Sequence, residues 1–176
     1  MKNLLMGTLL LTLMAGCASM NDALTPDTQV RVDDFDGSKE IIQKPVSAAS
    51  SMSEGWNTLG FRWNSKAPDI VFMNAGAEGI TNVTGLEFNV DGDFVIAQEA
   101  SHLTKYGQWS TRQFAVSLDD FMKIAKGKVV KMKVVMIDEY AVSSFGTEVN
   151  GAVVNSKFPK FLEQLKKITV ASNKTQ

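Results

Sequence analysis

Residues 86–97 read LEFNVDGDFVIA, and this stretch decides the fold class. Two runs of alternating apolar residues flank Asp91-Gly92, a dipeptide typical of tight turns between antiparallel strands. A loop of three residues, Asp91 to Asp93, would put all the apolar residues of both strands on one face, whereas a loop of two would divide them between both faces. Because burial favours a single apolar face, we predict the three-residue loop or a bulge. The apolar residues in question are Leu86, Phe88, Val90, Phe94 and Ile96.

Five further segments show strand patterns, which brings the predicted total to about seven strands. Residues 59–63 and 69–73 are separated by a short turn and are predicted to be antiparallel neighbours. Residues 74–79, NAGAEG, are predicted to form a loop, and residues 44–53, KPVSAASSMS, fit either a loop or a short helix. The remaining predicted strands are 28–34, 112–116 and 128–138.

Two segments have helical patterns. Ser117 is a predicted N-cap with Asp120 at the third helical position, and Gly127 ends a helix over 118–126. Phe158, Phe161, Leu165 and Ile168 recur at helical spacing over 158–169, with Pro159 in the first turn. Helices this few and this late exclude βαβ alternation. The sequence therefore predicts an α+β fold, a mainly antiparallel sheet with two helices against one face or end. We place it in a single domain, 28–170, followed by a flexible tail, 171–176.

The N-terminal segment has the layout of a secretory signal. Lys2 precedes an uncharged run over 4–14, and the small residues Ala15 and Gly16 lead to Cys17, the single cysteine. The run is too short for a permanent membrane span, which needs about 20 apolar residues. An ordinary cleaved signal followed by a chance cysteine is the alternative reading of this pattern.

Met14-Ala15-Gly16-Cys17 resembles the bacterial lipobox, although Leu is commoner at the position of Met14. The resemblance implies cleavage between Gly16 and Cys17, after residues 1–16, and a lipid on Cys17 that attaches the protein to a membrane. Two or three acyl chains give stable anchoring. Residues 17–27 would then be a lipidated tether. Ala18 stands where an Asp resembles an inner-membrane retention signal, so we expect the outer membrane, facing the periplasm.

The composition narrows the function classes further. The chain has 18 basic and 19 acidic residues, so no basic excess indicates nucleic-acid binding. The single histidine, His102, lies in a polar stretch, and no nucleophile elbow or phosphate-binding loop occurs. Residues 87–92 have part of the spacing of a calcium-binding loop, but Gln98 stands where a bidentate Glu is required. We therefore predict no catalytic residue, no metal and no cofactor.

Aromatic residues remain as candidates for a binding surface, since Trp and Tyr contribute much of the energy at interfaces. Trp63 continues the apolar face of a strand and is predicted to lie in the core, whereas Trp109, Tyr106 and Trp56 are the candidates for a binding surface, with core packing the alternative for Trp109. We expect a non-enzymatic module that binds an envelope protein or lipid. The alternatives are a carboxylate-dependent hydrolase of cell-wall glycan or peptide, and a carrier of a small apolar ligand.

Overall fold

The computed structural model describes residues 25–172, which form two antiparallel sheets and two α-helices. The first sheet has the order β1-β2-β3-β4-β8-β7, with β1 Gln29–Val32, β2 Lys39–Ser47, β3 Thr58–Asn64, β4 Ile70–Glu78, β7 Gln98–Glu99 and β8 Trp109–Ser117. The second has the order β10-β9-β5-β6, with β5 Val83–Val90, β6 Asp93–Ile96, β9 Val130–Met136 and β10 Tyr140–Phe145. Helix α1 is Leu118–Lys126 and α2 is Lys157–Ser172, and 3₁₀ turns cover Met52–Glu54 and Val153–Ser156.

The α+β class with a sheet majority is confirmed, but the predicted count of seven strands is wrong, because the described residues form ten. The additional strands are β2, β7 and β10. Strand β2 contains Pro45 and an irregular register between Gln43 and Val46, which hides its alternation. Pro45 is accommodated because Gly60 faces it, and a Cβ on Gly60 would lie 2.7 Å from the Pro45 nitrogen. Strand β7 has two residues, too few for a periodic signal.

The predicted loop over 74–79 is also wrong, since β4 continues to Glu78 and pairs with β8 along its whole length. Gly76 lies between Thr58 of β3 and Thr111 of β8. A Cβ at Gly76 would lie 2.5 Å from Thr58 Oγ1 and 2.9 Å from Thr111 Cγ2. The glycine therefore allows a close approach of neighbouring side chains within the sheet.

The β5–β6 hairpin has a two-residue loop, not the three-residue loop predicted. Val90 pairs with Asp93, and Asp91 and Gly92 adopt φ values of 54° and 106°, as a tight hairpin turn requires. The Asp91 carboxylate accepts hydrogen bonds from the backbone N–H groups of Lys128 and Val129, at 3.0 and 2.8 Å, which fixes the turn to the start of β9. In this register Val95 is buried, whereas Phe94 and Ile96 are each 75 % exposed.

The inward-facing residues of both sheets and both helices form one buried apolar cluster. The Phe61 ring of β3 stacks on Phe158 of α2 at 4.9 Å, and it meets Phe121 of α1 edge-on at 5.3 Å. Both predicted helices are confirmed. Ser117 Oγ accepts from the Asp120 N–H at 3.0 Å, and α2 extends from Lys157 to Ser172. Full burial of one such ring contributes about 2–3 kcal/mol, so these contacts hold the helices on the sheets.

Candidate functional site

An open groove of about 410 Å³ lies where β2 ends and where β3 and β8 begin. Trp56 and Trp109 are the largest side chains on its walls. Trp56 is 47 % exposed, and Trp109 is half-buried. We call this feature the tryptophan groove. Its lining residues are Pro45, Val46, Ser47, Trp56, Asn57, Thr58, Trp109 and Thr111.

The two tryptophans are 53 positions apart in sequence and are joined by a hydrogen bond. The Trp109 indole Nε1 donates to the Trp56 carbonyl oxygen at 3.1 Å. The Trp109 indole nitrogen is therefore satisfied, and the exposed part of its ring is apolar. Pairing of Ser47 with Thr58, and of Thr58 with Gly76, brings these strand ends together. The groove is thus a product of strand register.

Glu54 fixes the segment that carries Trp56. Its Oε2 accepts from the Ser50 N–H at 2.7 Å and from the Ser144 N–H of β10 at 3.1 Å. Burial alone would raise the pKa of Glu54, but these hydrogen bonds outweigh it and lower the pKa below its ordinary value. Asn57 adds a second link, because its Nδ2 donates to Ser143 Oγ at 2.6 Å. Trp56 is therefore held from both sides by contacts with β10.

A second open groove, of about 420 Å³, adjoins the first and shares Ser47 and Trp56 with it. Thr25, at the end of the predicted tether, lies on its wall together with Met52. Gln43 Nε2 donates to the Pro26 carbonyl at 3.1 Å, which holds the end of the predicted tether against β2. The chain therefore enters the domain beside Trp56.

Among the predicted aromatic residues, the structure brings Trp56 and Trp109 together but not Tyr106. Tyr106 is 61 % exposed on the loop before β8, outside the groove lining. Trp63 is 2 % exposed, and its Nε1 donates to the Pro68 carbonyl at 2.9 Å, which agrees with the predicted core position. Sequence reasoning missed the walls formed by Pro45 and Thr111, because neither residue type is typical of a binding surface.

The arrangement of titratable groups gives the hydrolase hypothesis no support. That hypothesis expects a carboxyl with a raised pKa, yet every described carboxyl with a resolved shift has a lowered pKa. Asp36, for example, forms a hydrogen-bonded ion pair with Lys66 that lowers its pKa to about 2. The others are Glu54, Asp91, Asp120 and Glu163.

His102 and the stretch over 87–92 have ordinary structural environments. The His102 side chain is 95 % exposed, and its nearest acidic partner is Glu99 at 3.9 Å. Residues 87–92 form the end of β5 and the hairpin turn. Within residues 25–172, no group of three or more His, Cys, Asp or Glu side chains is placed to hold a metal ion.

The predicted lipid attachment residue, Cys17, and the predicted cleavage site between Gly16 and Cys17 lie outside the described residues. No helix in the described part of the chain has the length and apolar character to cross a membrane. No protein family, curated protein or solved structure matches this chain.

Proposed function

We propose that this chain is a bacterial envelope lipoprotein whose domain binds an envelope component, protein or lipid, and catalyses no reaction. The lipid on Cys17 holds the domain at the outer membrane, facing the periplasm. The tryptophan groove carries this proposal, since it presents two indole rings at the surface, and the Trp109 ring is held by its hydrogen bond to the Trp56 carbonyl. Rigid aromatic side chains give a large contact area at low entropic cost, which suits them to binding.

The position of the groove supports the same proposal. Trp56 also lines the second groove, together with Thr25 of the predicted tether. A surface beside the anchor faces whatever lies next to the membrane, so an envelope component reaches it without a large reorientation of the domain.

Photo-crosslinking in intact cells tests the binding surface. A photoreactive residue replaces Trp109 in one variant and Phe35 in the matched control, since Phe35 is 96 % exposed in the turn between β1 and β2. We expect an abundant adduct with one envelope protein or lipid from position 109 and none from position 35. Equal adducts from both positions, or none from either, would contradict the proposed surface.

The anchor is tested by Cys17→Ala, with the mass of the mature protein as readout. We expect the wild-type protein to carry acyl chains on an N-terminal Cys17, and the variant to carry none and to keep residues 1–16. A variant that is processed and membrane-bound like the wild type would show that the lipobox resemblance is misleading.

A further inference from the structure

Three of the five Trp and Tyr residues of the chain lie at one end of the molecule, two in the tryptophan groove and one on the loop before β8. They are Trp56, Tyr106 and Trp109. A fourth, Tyr140, begins β10 and is 64 % exposed. We call the end that carries Trp56, Tyr106 and Trp109 the tether end, and it is the end where β2 and β4 finish and where β3, β5 and β8 begin.

Strand pairing and chain connectivity define this end. Glu78, the last residue of β4, pairs with Trp109, the first of β8. In the second sheet, Val83 at the start of β5 pairs with Met136 of β9, and Tyr140 of β10 pairs with Val135. The four residues between β4 and β5 join the two sheets here and include Ile80, which is 85 % exposed.

The loop before β8 adds apolar surface to the tether end. Leu103 is 78 % exposed, and its neighbour Thr104 donates through Oγ1 to Asn82 Oδ1 at 2.7 Å. The backbones of Lys105 and Thr111 exchange two hydrogen bonds, at 2.8 and 2.9 Å. The exposed side chains of Leu103 and Tyr106 are therefore carried on a loop that is fixed to the sheet.

The predicted anchor emerges at the same end. Thr25 lines the second groove together with Met52 and Trp56. Thr25 follows Cys17 by eight positions, and a fully extended chain over eight positions spans at most about 29 Å. A lipid on Cys17 therefore keeps the tether end close to the bilayer surface.

We propose that the tether end rests on the bilayer, with Trp56, Tyr106 and Trp109 in the interfacial region. This inference depends on the proposed lipid anchor. Trp and Tyr favour the membrane–water interface, because each combines an apolar ring with a polar atom. Tethering raises the effective concentration of the surface, so a weak affinity of these side chains for lipid is sufficient. The chain has no basic excess, and the contact is therefore insensitive to salt.

Tryptophan quenching by brominated lipid tests the inference. The full-length lipidated protein is reconstituted in phosphatidylcholine vesicles, in which part of the lipid carries bromine near the headgroup end of its acyl chains. Wild-type emission should fall and shift to shorter wavelength, to the same extent at low and high salt. The matched control is Trp56→Phe/Trp109→Phe, which retains only the buried Trp63 and should show no quenching. Unchanged Trp63 emission also reports that the control is folded.

Flotation of the same vesicles separates the inference from the anchor. Protein that floats with the vesicles but shows no quenching keeps its anchor and overturns the proposed contact. Protein that does not float refutes the anchor and the inference together. If Trp56 and Trp109 become inaccessible to a water-soluble quencher in cell membranes but not in pure lipid vesicles, the partner is a protein. That result would also overturn the inference.

Discussion

At the residue scale, Glu54 illustrates how a carboxylate acts in this structure. Its Oε2 accepts hydrogen bonds from the backbone N–H groups of Ser50 and Ser144. These bonds join the segment that carries Trp56 to the second sheet. The lowered pKa of Glu54 is consistent with this structural role.

Glu54→Gln should lower the free energy of unfolding by about 1.5 kcal/mol at neutral pH, because hydrogen bonds to a charged acceptor are stronger than those to an amide oxygen. The pKa of Glu54 is lower in the folded protein than in the unfolded chain. The carboxylate therefore makes its full contribution to the free energy of unfolding above the ordinary pKa of 4.5. The contribution is lost as the pH falls through the folded-state pKa. Urea denaturation of both proteins across this pH range measures the difference.

Glu163→Gln is the control for this prediction. Glu163 also has a lowered pKa, caused by its ion pair with Lys167, but it lies fully on the surface of α2. Surface ion pairs contribute little to stability, so this variant should change the unfolding free energy little at any pH. A wild-type advantage over Glu54→Gln that stays constant down to acid pH would contradict the assigned role.

At the element scale, the β5–β6 hairpin differs most from its sequence prediction. The alternation of Phe94 and Ile96 with β5 favours one apolar face, yet the two-residue turn puts them outside. The two-residue turn is favoured because Asp91 and Gly92 adopt positive φ and the Asp91 carboxylate accepts hydrogen bonds from the N–H groups of Lys128 and Val129, just before β9. The pattern of apolar residues indicates neither the positive φ values nor these hydrogen bonds.

Alanine substitutions along β6 test the register. Val95→Ala removes buried methyl groups and should cost about 2 kcal/mol of unfolding free energy. Phe94→Ala and Ile96→Ala change exposed side chains and should each stay within about 0.5 kcal/mol. Thermal or urea denaturation of the three variants measures the contrast. If Phe94→Ala lowers the free energy of unfolding more than Val95→Ala does, the result would support the three-residue loop instead.

At the scale of the whole molecule, Arg112 links the two sheets and the loop that carries Tyr106. This side chain of β8 is 8 % exposed. Its Nη1 donates to the Val83 carbonyl at 2.9 Å, its Nε to the Ser101 carbonyl at 2.7 Å, and its Nη2 to Glu99 at 2.7 Å. One guanidinium thus satisfies acceptors from β5, β7 and the loop that follows it.

Arg112→Met should destabilise the protein by about 2 kcal/mol, because it removes the three hydrogen bonds from the guanidinium to Val83, Ser101 and Glu99. The loop from residue 100 to 108 should also exchange its amide hydrogens faster. Hydrogen exchange with mass spectrometry measures the local effect, and denaturation measures the global one. The control is Arg62→Met, since Arg62 is half-exposed and pairs with Glu40 at 3.6 Å. If both variants behave alike, Arg112 is not a link between the sheets.

The same scale explains how much of the candidate site was predictable. Residue type alone pointed to Trp56 and Trp109, because exposed aromatic residues are typical of binding surfaces. Their proximity was not predictable, since it depends on the pairing of β3 with β4 and of β4 with β8. Pro45 and Thr111 line the groove because of the same kind of strand pairing, which the sequence pattern does not reveal.

The sequence by itself determined the features that depend on neighbouring residues. The cap at Ser117, the end of α1 at Gly127 and the inward face of β9 follow from contacts within a few positions. Only the tertiary structure decided the hairpin register, the extension of β4 past Gly76, the strand β2 with its proline, and the tryptophan groove. In each of these, residues distant along the chain supply the deciding contact, and a local pattern carries no information about such partners.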